Sequence, residues 1–155
     1  MNKNLLIVGH VPSPNTEILR DAVVKGATRP DISGIRVVVR NPFEANAEDV
    51  LKADGILLGT TENLGYMSGA LKDFFDRIYY PCLEKKQGLP YGIYIRAGHD
   101  GTGTKRAVET IITGLRWTSV QEEALICRGD YKSEFEGQCE ELGMLMAAGL
   151  EAGIF

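Results

Sequence analysis

At 155 residues, with 44% hydrophobic and 25% charged content, the chain has the size and balance of one globular domain and is too short for two comfortable ones. A net charge of −4 with no Lys/Arg run argues against a nucleic-acid surface, and is milder than a dedicated acidic electron carrier would need. No apolar run reaches membrane-spanning length, and no internal repeat or low-complexity segment interrupts the chain. The cysteines, Cys82, Cys127 and Cys139, are odd in number and lack CxxC spacing. With no leader before the apolar run at Asn4, a reducing cytoplasm is expected.

In chain order, Asn4–Gly9 is a continuous apolar run ending in glycine, the pattern of a buried parallel strand. The prolines of His10–Pro14 predict a tight loop, with Asn15 or Thr16 capping a helix that buries Ile18, Leu19, Ala22 and Val23 and stops at Lys25-Gly26. Ile35–Val39 is the second strand, Ala47–Ala53 a short helix with Val50 and Leu51 inward, and Asp54–Gly59 the third strand. Thr60–Tyr66 reads as a polar loop, longer than a strand-to-helix connection requires. A helix follows from Met67 or Ser68, with Leu71, Phe74, Phe75 and Ile78 on one face. Lys72/Asp76 and Asp73/Arg77 pair four apart on the other face. Pro81–Pro90 is a connector, Tyr91–Ala97 the fourth strand, Gly98–Gly103 a glycine-rich loop, and Thr104–Thr113 a helix with Ala107, Val108, Ile111 and Ile112 inward. Trp117-Thr118 and Ala124–Cys127 form a fifth strand that residues 119–123 can split, and Phe135–Leu150 is the last helix.

Strands alternating with helices over this length predict an α/β fold spanning residues 1–155. The expected architecture is a doubly wound five-stranded parallel sheet in the order 2-1-3-4-5, with helices on both faces. The loops after the first, third and fourth strands then share one edge, where open α/β sheets bind ligands. The first loop, Gly9–Thr16, places Ser13, Asn15 and Thr16 at a helix N-terminus, the equipment for a phosphate monoester held without Lys or Arg. Each of these residues also has an ordinary role as a cap or turn. The second loop carries backbone groups for a heterocycle edge, with Leu64 and Tyr66 for its face, while Glu62 reads equally as a solvated loop charge. The glycines of the third loop permit close backbone approach, and His99 can stack on a ligand or stand in solvent. The absence of GxxxxGK[ST] and of GxGxxG excludes a Walker-type and a Rossmann dinucleotide site. His10 and His99 lack metal-ligand spacing, so no metal is expected. The cysteines read as structural, with Arg128 beside Cys127 the only hint of an activated thiol.

The segment Ser13-Pro14-Asn15-Thr16-Glu17 resembles the end of the flavodoxin phosphate loop, with Pro14 where a glycine is usual. Gly65-Tyr66-Met67-Ser68-Gly69-Ala70-Leu71-Lys72-Asp73-Phe74-Phe75-Asp76 is similar to the G-x-M-[SA]-x-x-[LM]-[KR]-x-F-[LIF]-D signature. That signature marks the NAD(P)H-dependent FMN and quinone reductases of the flavodoxin-like superfamily, the tryptophan-repressor-binding-protein branch included. The resemblance covers most of the chain and is most specific over residues 59–76. Thr61 replaces a proline usual in those relatives, and the third loop is shorter than in the quinone reductases. The resemblance implies a flavodoxin-like fold and non-covalent FMN. The FMN would be held by His10, Val11, Ser13, Pro14, Asn15 and Thr16, by Thr60, Thr61, Glu62, Asn63, Leu64, Gly65 and Tyr66, and by Ala97, Gly98, His99, Gly101, Thr102 and Gly103.

The activity implied is two-electron transfer from NAD(P)H, as co-substrate, through FMN to a small-molecule quinone or flavin acceptor. His99 and Tyr66 are the candidates for shaping the substrate face, with His99 also a candidate proton donor. Relatives of this type build dimers or tetramers, for which the Tyr79-Tyr80-Pro81 surface is the local candidate; neither nucleic acid nor membrane is expected as a partner. Two other functions stay open: a flavodoxin-type electron carrier without its own turnover, and a flavodoxin-fold binding or regulatory module that has lost FMN.

Overall fold

Strands and helices alternate along the computed structural model, which describes residues 2–155, except at two places where one strand directly follows another. The elements are β1 (Lys3–Gly9), α1 (Pro14–Ala27), β2 (Ile35–Arg40), α2 (Ala47–Lys52), β3 (Gly55–Asn63), β4 (Tyr66–Met67), α3 (Gly69–Cys82), β5 (Pro90–Ala97), α4 (Thr102–Leu115), β6 (Thr118–Ser119), β7 (Leu125–Arg128) and α5 (Glu134–Ala152). The parallel sheet runs β2-β1-β3-β5, and β6 and β7 share the last position, both paired with β5. This is the expected 2-1-3-4-5 order of a flavodoxin-like fold, with its fifth strand in two pieces. Where the split interrupts the pairing, a side chain takes the place of the missing strand. Gln121 Oε1 accepts the Ile93 N–H at 2.8 Å, and Gln121 Nε2 donates to the Ile93 carbonyl at 3.2 Å.

Alternation along the buried central strands divides the core into two layers. Leu6, Val8, Ile56, Leu58, Ile93 and Ile95 face α3 and α4, meeting Leu71, Phe74, Phe75, Ile78, Val108 and Ile112. Leu5, Ile7, Leu57 and Tyr94 face α1 and α5, meeting Leu19, Val23, Leu142 and Met146. The strand ends that carry the three loops are thereby fixed from both sides.

Several local expectations give way. Helix α1 starts at Pro14, and its N-cap is Ser13 rather than Asn15 or Thr16. Proline suits the first helical position because its missing N–H would have no intrahelical partner. Ile18 and Leu51 are exposed rather than inward. The stripe Thr16-Leu19-Val23 leaves Ile18 off the buried face, and the short α2 buries only Val50. Helix α3 runs through Tyr79, Tyr80 and Pro81 to Cys82, so the connector starts later than expected. A proline in a last turn forfeits only one helical hydrogen bond, while the buried Ile78 and Cys82 hold that turn to the core.

Candidate functional site

The polar segment after the third strand is not an open loop. Strand β3 continues to Asn63 and turns back as β4, pairing Glu62 with Met67 and Asn63 with Tyr66. The turn is Leu64-Gly65, both at positive φ (54° and 74°), as a two-residue type I′ hairpin requires. Leu64 is fully exposed at the tip and Tyr66 stands partly exposed beside it. Thr60 points inward: its hydroxyl accepts the Ser68 N–H at 3.0 Å and donates to the Thr61 carbonyl at 2.9 Å. Ser68 in turn caps α3 through the Leu71 N–H at 3.1 Å. The Thr60 side chain is thus spent on the fold, and the Thr61 hydroxyl is held by Asn63 Oδ1 at 2.8 Å.

The third loop is stitched to this hairpin. The Glu62 carboxylate accepts the N–H groups of His99 and Gly101, each at 2.9 Å, so it is not a free solvated charge. Thr104 Oγ1, wholly buried, donates to the Tyr66 carbonyl at 2.9 Å. Gly103 lies so close to the Gly65 carbonyl that a Cβ there would collide with it. Helix α4 starts at Thr102, earlier than expected, because Asp100 accepts both the Thr102 N–H (3.0 Å) and its hydroxyl (2.9 Å). Those bonds hold the Asp100 carboxyl below its ordinary pKa. Arg128 Nε reaches the Asp100 carbonyl at 2.6 Å from β7. Among the described residues the Gly98 and Asp100 N–H groups have no protein partner.

At the end of β1, His10 N–H donates to the Gly59 carbonyl at 3.0 Å, joining the first loop to β3. Burial holds the His10 imidazole below its ordinary value of 6.5, so it adds no charge near neutral pH. Ser13 and Thr16 form a reciprocal capping box: Ser13 Oγ accepts the Thr16 N–H at 3.3 Å, and Thr16 Oγ1 accepts the Ser13 N–H at 3.0 Å. The N–H groups of Val11 and Asn15 have no protein partner among the described residues. They stand with the exposed Ser13 and Asn15 side chains at the positive end of a 14-residue helix. That donor set fits a phosphate monoester, reduced by the two N–H groups that Pro12 and Pro14 lack.

The structure therefore gathers residues 10–16, 60–66 and 97–103 at the ends of the adjacent strands β1, β3 and β5. Sequence reasoning missed Thr104, Asp100, Arg128 and Ser68, which fix the loops. The Asp-x-Thr spacing at Asp100 was a readable helix-start signal, while Thr104 gave none. His10 and His99 lie on separate loops, and no three metal-ligating side chains cluster among the described residues. A groove of about 800 Å³ flanks β7 between α4 and α5, but of the candidate residues it touches only Thr102. The candidate residues are thus marked by convergent donors rather than by that volume.

A family model for NADPH-dependent FMN reductase matches residues 18–130, a span that holds the second and third loops and leaves out the first. A flavodoxin of Aquifex aeolicus is 30% identical over 111 residues, which cover 72% of this chain and 59% of the relative. The quinone oxidoreductase QR2 of Triphysaria versicolor is 32% identical over 102 residues, covering 64% of this chain and 45% of the relative. The chain thus spans about half the length of these curated relatives. An archaeal flavodoxin structure aligns at a TM-score of 0.79 over 95% of this chain and 98% of that one, at 16% identity, a likeness of fold alone.

Proposed function

Because the chain belongs to the NADPH-dependent FMN reductase family, we propose that it binds FMN across the ends of β1, β3 and β5 and passes two electrons from NAD(P)H to a quinone or a free flavin. The observation that carries this reading is the meeting of an unpaired donor set at the α1 N-terminus with two ring-sized loops stitched into one rim. When bound, FMN supplies the hydride chemistry, so no side-chain base or nucleophile is asked of the protein. Val11 and Asn15 N–H, the Ser13 hydroxyl and the Asn15 amide hold the phosphate. The free N–H groups of Gly98 and Asp100 are the donors left for the polar edge of the ring. Leu64, Tyr66 and His99, all exposed, shape the face that nicotinamide and acceptor share in turn.

A carrier without turnover is the second reading, favoured by the curated relative named a flavodoxin. The test is anaerobic mixing of the FMN-loaded protein with NADPH, followed by a quinone. Bleaching of the flavin band and its return supports the reductase. A protein that binds FMN but is not reduced by NADPH or NADH is the carrier. Failure of FMN to bind or to raise the melting temperature sinks both.

A homo-oligomer formed through α3 belongs to the same proposal. Tyr79 packs against Gly114 and leaves Tyr80 79% exposed, an aromatic anchor for a second copy that light scattering would detect. No helix of the described residues is long and apolar enough to cross a membrane. The proposed cytoplasmic location rests on three cysteines that stand free and buried.

A further inference from the structure

Among the described residues, Glu62 makes the one carboxylate contact that spans the second and third loops. Its Oε1 takes the His99 N–H and its Oε2 the Gly101 N–H, both at 2.9 Å, across 37 and 39 residues of sequence. Gly101 is the N-cap of α4 and lies at φ 73°, and it has no side chain with which to cap its own helix. Its N–H and that of His99 therefore line a concave turn at the positive end of a 14-residue helix, the backbone geometry that binds anions. In this chain the anion is built in, delivered by the strand before the hairpin.

We infer that Glu62 is a positioning residue. Its carboxylate is the resident anion of the turn at residues 99–101 and holds that loop in the shape the ring-binding rim requires. The side chain is accordingly not a cofactor ligand. By engaging His99 and Gly101 it selects which N–H groups, those of Gly98 and Asp100, remain for a ligand. The functional half of this inference rests on the FMN reading; the latch does not.

Glu62→Ala empties the turn and leaves room for a small carboxylate. Glu62→Gln keeps the volume but turns an amide N–H₂ toward one of the two donors. The experiment measures hydrogen exchange at residues 98–103 and FMN affinity by flavin fluorescence quenching, in the wild type and both variants. Each is run with sodium formate and with sodium chloride at equal ionic strength. In Glu62→Ala, the His99 and Gly101 amides lose protection and FMN binds about tenfold more weakly or worse, as expected for two lost charge-assisted bonds. Formate restores both and chloride does not, a response that a merely structural role would not give to FMN affinity. If Glu62→Ala does not fold, Glu62→Gln carries the test, with partial loss of protection and of affinity. Protection unchanged in the variants overturns the latch. Protection lost with FMN affinity unchanged overturns the positioning role. A wild type that binds no FMN sinks the flavin reading and the positioning role with it, while formate-dependent protection in Glu62→Ala still upholds the latch.

Discussion

Gly26 of α1 and Gly143 of α5 are reciprocal. A Cβ on Gly26 would collide with the Glu140 carbonyl oxygen, and one on Gly143 with the Val23 carbonyl oxygen. Each glycine makes room for the backbone of the other helix, so at these two points the nearest neighbours are main-chain atoms that cannot swing aside. Gly143→Ala must part the two helices over the layer built on Leu19, Val23 and Met146. The expected cost is about 1–3 kcal/mol, the usual range for overpacking. Urea denaturation should show a lower midpoint at an unchanged slope.

Tyr94 lies in the same layer, its ring against Gly59 and its hydroxyl buried without a hydrogen-bond partner among the described residues. Burial, reinforced by nearby Cys139, pushes the phenol above its ordinary value of 10.0. Above that pH the unfolded chain releases the Tyr94 proton and the folded chain keeps it. The folded state then holds more protons, so stability falls as pH rises. Tyr94→Phe should remove this slope, about 1.4 kcal/mol for each pH unit above the unfolded value. At neutral pH the variant should equal or exceed the wild type, because the hydroxyl it deletes satisfies nothing. Chemical denaturation at neutral and alkaline pH decides, and a variant weaker than wild type at neutral pH would show that the hydroxyl has a partner.

Pro14→Gly restores an N–H at the first turn of α1, beside the unpaired N–H groups of Val11 and Asn15. FMN affinity should rise about three- to tenfold, the worth of one net hydrogen bond. The unliganded protein should lose about 0.4–1 kcal/mol, because glycine gives the unfolded chain more freedom. Calorimetric titration with FMN and a melting curve measure the two effects separately. An unchanged affinity would place the phosphate away from α1.

Thr104→Val keeps the side-chain shape and deletes the donor to the Tyr66 carbonyl. Stability should drop by about 1 kcal/mol, the typical net value of such a bond. If the proposed site is right, the loosened hairpin should raise the KM for the acceptor more than it lowers kcat, since Tyr66 would shape the shared face rather than take part in the electron transfer. A fall in kcat alone would point to a different role for this seam.

The fold was legible because the sheet is buried on both faces. Continuous apolar runs such as Leu5–Val8 and Ile56–Leu58 announce central parallel strands, and the 3.6-residue stripe Leu71-Phe74-Phe75-Ile78 announces α3. The hairpin was not legible, since its turn is Leu64-Gly65 rather than Asn-Gly or Asp-Gly. A leucine at positive φ carries no local signal and is held there by the pairing of Glu62 with Met67. Strand order alone brought the three candidate loops to one edge of the sheet, but the hydrogen bonds of their side chains left no mark in the sequence. Glu62 reads as a surface charge because its partners lie 37 and 39 residues away and are backbone groups, which leave no trace in residue type. The same holds for Thr60, whose hydroxyl serves Ser68.

Gln121 has a consequence beyond the sheet it completes. By standing in for a strand at Ile93, its amide lets the chain leave the sheet between β6 and β7 and return. The sheet edge beyond β5 is thereby cut into pieces of two and four residues. Neither piece offers the long, flat row of unpaired backbone groups on which a foreign strand could nucleate. One glutamine both satisfies the interior and breaks up this edge of the sheet, leaving β2 as its one continuous edge among the described residues.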